Sequence, residues 1–293
     1  MKREPQRRSR LKILVAATVI GWSVIPSAVT VPAAAAPAVG SDVSWPQCGG
    51  ALPAYPGFGI VGVNDGRPFT NNPCLASEYH WAAAAGRPGF YLNTANPGGA
   101  GSAIDWYGQR SPRPSCSPAD EAACAYNFGF QGAVQAFSYA NTQAAAGPGH
   151  TWWLDVETSN SWSNDRVSNL ASISGAIDAL RIRGVLVGVY STGYQWGRIT
   201  GGARRPDLPN WVPGAGSLGE AAARCTGRYS FSGGPVVVTQ FLNESVDFDY
   251  DYACPGSDAV LRPPLPPPAS GLDGLVNGLL TLLGLAPPTA NGG

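Results

Sequence analysis

The sequence predicts an α/β fold, an irregular TIM-type (β/α) barrel held by disulfides. Three observations carry this. Short, almost continuously apolar runs recur along the chain; such runs are strands covered on both faces, as in parallel sheets. Helical stretches fall between several of them, and strand–helix alternation over this length is the barrel arrangement. The chain also carries six cysteines, an even set. An open α/β sheet satisfies the same order of elements, and that order alone does not decide between the two.

The first 36 residues are read as a signal peptide, with cleavage near Ala36. Lys2, Arg3, Arg7, Arg8, Arg10 and Lys12 form a basic start, Ile13 to Ile25 is apolar, and "AAAAP" (Ala33 to Pro37) supplies small residues. The apolar stretch is too short to stay in a membrane as a stable span. "RRSRLK" (Arg7 to Lys12) loosely resembles a twin-arginine export signal, but Arg10 stands where an aromatic is usual, so the general secretory route stays open beside it. Without this segment the chain holds 13 arginines, no lysine and 18 acids, a net charge of −5. An acidic surface argues against nucleic acid, whose phosphates need cationic cover, and against an anionic membrane surface. The protein is expected outside the cell or on the cell wall, as a monomer.

In an exported chain, an even number of cysteines reads as disulfides. Six allow fifteen pairings. The sequential one is favoured: Cys48–Cys74, Cys116–Cys124 and Cys225–Cys254. Metal ligation is the competing reading. It lacks any C-x-x-C spacing and has only His80 and His150 to help, so neither a metal nor a cofactor is expected.

The main domain is placed at residues 37–261, and about 220 residues are enough for one large core. Strands are expected at 57–64, 88–93, 151–157, 184–191, 209–215 and 235–241, with a weaker one at 39–45. A helix is expected from Ser117, where Pro118 and Asp120 supply a first-turn proline and a capping-box acid. Val167, Leu170, Ile173, Ile177 and Leu180 make a second helix with a one-sided stripe, ended by Gly184. Between Gly98 and Cys116 the second half is rich in proline and serine and reads as a long rim loop. Fewer helices fall in the last part of the domain, which makes the barrel irregular. "RPPLPPPAS" (residues 262–270) is a proline-rich linker. Residues 271–293 form an apolar tail, read either as unstructured, as a helix docked on the domain, or as an attachment to the envelope.

"TWWLDVET" (Thr151 to Thr158) sets two acids one residue apart behind an apolar run. Residues two apart on a strand share a face, so Asp155 and Glu157 point together, with Trp153, while Trp152, Leu154 and Val156 point oppositely. At the C-terminal end of a barrel strand both acids face the mouth, where such folds carry their chemistry. Like charges at this spacing repel, so one acid holds its proton longer than the other; crowding is expected to keep that proton on Glu157. One proton donor beside one charge-stabilising carboxylate is what cleavage of a glycosidic bond requires. Alone, D-x-E is a common tripeptide, often solvated or cation-binding. Acids at two further strand ends strengthen the case: Asp42 in "SDVSW" and Asp247 in "SVDFDYDYA". Tyr190, Trp211 and Gln240 stand at matching ends, although core packing accounts for Tyr190 and Trp211 about as readily as sugar contact. A serine or metal hydrolase is disfavoured, since the chain has no G-x-S-x-G and no H-E-x-x-H.

In order and chemistry these segments resemble the family 25 glycoside hydrolases, lysozymes that cut peptidoglycan between N-acetylmuramic acid and N-acetylglucosamine. The motifs are "DVS" at 42–44, "LDVE" at 154–157, "GVYS" at 188–191, "NWV" at 210–212, "TQF" at 239–241 and "VD" at 246–247. The resemblance implies Glu157 as general acid and Asp155 as stabiliser of the intermediate, through the substrate's own N-acetyl group. It further implies Asp42 and Asp247 as the residues that hold and tune this pair, with Tyr190, Trp211 and Gln240 along the saccharide cleft. The chain departs from the family pattern at "VGVNDG" (Val61 to Gly66) and "FYLNTANPG" (Phe90 to Gly98), where Asn64 and Asn93 stand as replacement hydrogen-bonding groups. Two readings follow: a secreted muramidase-like enzyme acting on peptidoglycan or a related glycan, and a catalytically silent wall-binding protein on the same barrel.

Overall fold

The computed structural model describes residues 39–54, 57–86, 88–98, 116, 121–144, 146–242 and 248–263. The expected leader (1–36), most of the 98–116 loop, Ser117 to Asp120, the linker beyond residue 263 and the 271–293 tail lie outside the described residues, as does Asp247.

Eight strands close into one barrel in sequence order: β1 (Val39–Val43), β2 (Gly59–Gly62), β3 (Pro88–Asn93), β4 (Thr151–Asp155), β5 (Leu186–Tyr190), β6 (Asn210–Ala215), β7 (Val236–Leu242) and β8 (Asp249–Ala253). The first seven pair in parallel. β8 runs antiparallel to both β7 and β1 and seals the ring. Closure rules out the open sheet. The helices are α1 (Leu75–Ala84), α2 (Glu121–Gln143), α3 (Arg166–Arg181), α4 (Gly193–Thr200), α5 (Leu218–Ala223) and α6 (Asp258–Leu261). A short 3₁₀ turn (Trp45–Gln47) stands where a helix would link β1 to β2.

β8 was not among the expected strands. "DYDYA" alternates acid and aromatic instead of running apolar, because one of its faces lines a polar mouth. In the other strands the alternation builds two cores. Trp152, Leu154, Phe90, Val187 and Val189 point outward and pack under the helices with Ile173, Ile177 and Leu180. Phe58, Ile60, Trp153, Trp211 and Val238 fill the barrel itself. Full burial of aliphatic and phenyl side chains such as Leu154, Ile173 and Phe90 is worth roughly 1.5–3 kcal/mol each.

α2 and α3 cross by glycine contact. A Cβ on Gly129 would sit 1.9 Å from the Ser172 carbonyl oxygen, and one on Gly175 would sit 2.1 Å from that of Tyr126. Asp165 caps α3 by accepting the Val167 N–H at 2.9 Å. Its predicted stripe holds at Ile173, Ile177 and Leu180, but Val167 is 69 % exposed: it sits in the first turn, outside the face that meets the barrel. The three disulfides are Cys48–Cys74, Cys116–Cys124 and Cys225–Cys254, the sequential pairing.

Candidate active site

The site is built by strand register at the C-terminal mouth. Asn93, Asp155 and Tyr190 are side-by-side partners on β3, β4 and β5, and Trp211 continues the row on β6. From the seam side, Asp42 on β1 stands opposite Asp249 on β8, and Asp251 stands opposite Gln240 on β7. These two groups face each other across a cleft of about 230 Å³. Asp42, Asp155, Glu157 and Asp249 all reach it, and among the described residues no arginine, lysine or histidine lines it.

Asp155 is buried. Asn93 Nδ2 donates to its Oδ2, while Oδ1 has no partner among the described residues. Burial, then the charges of Glu157 and Asp42, hold its carboxyl well above the usual range. Glu157, two residues beyond the end of the strand, is half-buried. Gln195 Nε2 donates to its Oε1 at 3.2 Å, and Gln195 is itself fixed because its Oε1 accepts the Thr158 N–H at 2.5 Å. Trp162 Nε1 donates to the Glu157 carbonyl at 2.7 Å. The strand pairing thus turns both acids one way, but the proton that crowding was expected to keep on Glu157 is favoured instead on the more deeply buried Asp155, because the chain leaves the sheet before Glu157.

Across the cleft, Gln240 Nε2 donates to Asp42 Oδ2 at 2.8 Å, and Gln240 Oε1 accepts the Tyr190 hydroxyl at 2.9 Å. Burial, with the Asp249 charge adding, pushes the Asp42 pKa up to about 8. Beneath it, Asp251 accepts the Trp211 indole N–H at 2.7 Å, and burial, followed by the Asp42 charge, raises it well above the ordinary value. Asp249 is raised by burial and by Glu157. Carboxyls packed this closely cannot all ionise, so the seam holds protons.

Tyr91, Tyr190 and Trp211 form the aromatic wall. Tyr190 meets Trp211 edge-on at 4.7 Å between ring centroids, and Tyr91 does so at 6.2 Å. Trp45 stands 45 % exposed on the rim. In "GVYS" the glycine has a steric role: a Cβ on Gly188 would lie 2.3 Å from the Trp153 ring.

Most of the expected site residues therefore converge: Asp42, Asn93, Asp155, Glu157, Tyr190, Trp211 and Gln240 all line the cleft. Asn64 does not. It is buried and braces Asn93, donating to its carbonyl and accepting its N–H, both at 3.0 Å. Asp249, Asp251, Tyr91, Trp45 and Gln195 went unnoticed in the sequence. The period-two spacing of acids in "DFDYDYA" was the available signal for the first two.

The family described as Lysozyme-like protein 1 matches residues 124–233. A Dictyostelium discoideum protein named "Probable GH family 25 lysozyme 4" is 41 % identical over 58 residues, 18 % of this chain and 27 % of that protein. The chain is related to the family 25 lysozymes. The match spans only about a quarter of that curated relative's length. Among solved structures, a muramidase from Trichobolus zukalii is similar at 17 % identity over 77 % of this chain and 99 % of its own, with a TM-score of 0.47. A family GH25 lysozyme from Aspergillus fumigatus is similar at 15 % identity over 77 % and 98 %, with a TM-score of 0.49. The stretch of this chain that the family model matches carries Asp155, Glu157, Tyr190 and Trp211. Asp42, Asn93 and Gln240 lie outside it and join the site by barrel closure.

Proposed function

We propose that the chain is a secreted glycosidase that hydrolyses the β-1,4 bonds of peptidoglycan in the manner of a muramidase. The observation that carries this is the turning of Asp155 and Glu157 into one aromatic-walled cleft with different surroundings, one buried and one half-buried. Glu157, steadied by Gln195, donates a proton to the leaving oxygen. Asp155 takes the N–H of the substrate's acetamido group on its partnerless Oδ1, so that the acetamido oxygen closes on the anomeric carbon as the glycosidic bond breaks. Water, giving a proton to the Glu157 carboxylate, then attacks the anomeric carbon, opens that ring and restores both the sugar and the acid. Asp42, Asp249 and Asp251 keep this pair's charge in check, a task the family resemblance implies for Asp42 and Asp247. Sugar rings lie against Tyr91, Tyr190 and Trp211, with Asn93 and Gln240 as hydrogen-bonding groups. The three disulfides fit an oxidising compartment, in keeping with export, and the protein acts as a monomer.

The test is digestion of purified cell wall followed by mass spectrometry of the products. The wild type is expected to release fragments with a reducing muramic-acid end, and Glu157→Gln to release none while still sedimenting with the wall. Absence of new reducing ends from the wild type between about pH 4 and pH 8 would leave the wall-binding reading in its place.

A further inference from the structure

A second recess lies beside the sugar cleft, about 340 Å³ in volume. Thr158, Asn160, Trp162 and Asn169 line it, together with Arg166 and Arg198. The loop from Glu157 to Trp162 is the wall between the two: Glu157 faces the first, and its neighbour Thr158 faces the second. A polymer seated in the cleft therefore passes beside the second recess, with this loop between them.

The electrostatics of the two recesses are opposite. The cleft is walled by carboxyls, whereas this groove has two guanidinium groups. Of the other described arginines, three are ion-paired: Arg181 and Arg205 with Asp207, and Arg224 with Glu220. Arg166 and Arg198 hold no carboxylate among the described residues, and both are exposed. Arg166 is the first residue of α3, next to the Asp165 carboxylate that caps that helix end. Asp165 forms no ion pair with it among the described residues. Its carboxylate is taken up by the Val167 N–H and the Ser168 hydroxyl. Asn169, buried and fully engaged with Ser163, Asn96 and Ile199, makes the floor rigid.

We propose that this groove binds the carboxylates of the peptide stem that the glycan carries, with Arg166 and Arg198 as the anion-binding pair. The assignment rests on the peptidoglycan reading above for its choice of ligand. Stem peptides project from the muramic acid unit beside the scissile bond and bear free carboxylates. The acidic cleft repels them, and the groove one residue away accepts them. Paired guanidinium–carboxylate contacts give such a site its direction.

The experiment is titration calorimetry of the full chain with a free stem tetrapeptide, with the same peptide amidated at its carboxylates, and with inorganic phosphate. The acidic peptide is expected to bind about tenfold or more tighter than the amidated one, the effect of losing one charge-assisted contact. The Arg166→Gln/Arg198→Gln double variant is expected to lose that preference, and Glu157→Gln to keep it. Equal binding of the two peptides, or wild-type binding by the double variant, overturns the proposal. So does tighter binding of phosphate than of the acidic peptide, which would assign the groove to a phosphodiester polymer. With wall as substrate, the double variant is expected to raise KM about tenfold with kcat kept, and to leave hydrolysis of peptide-stripped glycan unchanged. Calorimetry needs no turnover, so a chain that binds the acidic peptide without cutting wall refutes the enzymatic reading alone.

Discussion

Gln240 and Asp42 lie 198 positions apart in the chain and 2.8 Å apart in the mouth of the barrel. The contact crosses the seam where β7 and β1 flank the reversed strand β8, and it continues to the Tyr190 hydroxyl at 2.9 Å. Gln240→Leu removes one donor and one acceptor from this chain of bonds. The expected cost is about 1–3 kcal/mol, because two enclosed polar groups lose a partner at once. Urea denaturation reads it, and a loss below measurable size would show that water replaces the amide.

The acids of the mouth make stability depend on pH. Burial pushes the Asp42 pKa up to about 8 from its ordinary 3.8, so the folded chain binds the proton more tightly. That contribution is full below about pH 4 and is lost as the pH rises through about 8. The thermal midpoint is expected to fall between pH 5 and pH 8. Asp42→Asn should reduce the slope without abolishing it, since burial also raises Asp155 and Asp251. A midpoint that rises over this window contradicts the packing described for the seam.

Gln195 positions Glu157 through a 3.2 Å bond. Gln195→Ala is expected to lower kcat about tenfold, with KM near the wild type, because an acid that swings free is less often aligned with the leaving oxygen. Gln195→Glu should shift the pH–rate profile, since a second carboxylate beside the first disfavours ionisation. An unchanged profile would remove Gln195 from the mechanism.

Trp211→Phe keeps the aromatic wall and deletes the N–H that serves Asp251. A buried acid without its donor is expected to cost about 1–3 kcal/mol. Sugar binding should weaken less than stability, and the reverse order would identify the indole nitrogen as a substrate contact.

The disulfides rank by the loops they close. Cys225–Cys254 spans 29 positions and Cys116–Cys124 spans 8. Chain entropy puts their removal at about 3.5 and about 2.5 kcal/mol respectively. Paired serine replacements, followed by urea denaturation, check the order.

Seven strands were legible in the sequence because each is sheathed on both sides and written in apolar residues. Asp155 and Glu157 were legible because a two-residue spacing on a strand fixes a shared face. β8 was missed because its lumen-side acids broke the apolar run that was being sought, and Asp249 and Asp251 were missed with it. Asn64 was placed in the cleft because it stands where the chain departs from the family pattern, as a replacement hydrogen-bonding group. Only the backbone course shows that its amide is consumed by Asn93. Gln195 belongs to a helix whose first turn approaches the β4 loop, and no local pattern reports such a contact.

The reversed eighth strand also has a bearing on biosynthesis. The partners it joins, β1 and β7, flank nearly the whole domain, so the ring stays open until residue 253 has left the ribosome. Pairings this distant along the chain form late and slowly. A nascent or truncated chain ending before β8 would carry Asp155 and Glu157 without the seam that balances them, and any lytic power would arise only once synthesis of the barrel is finished.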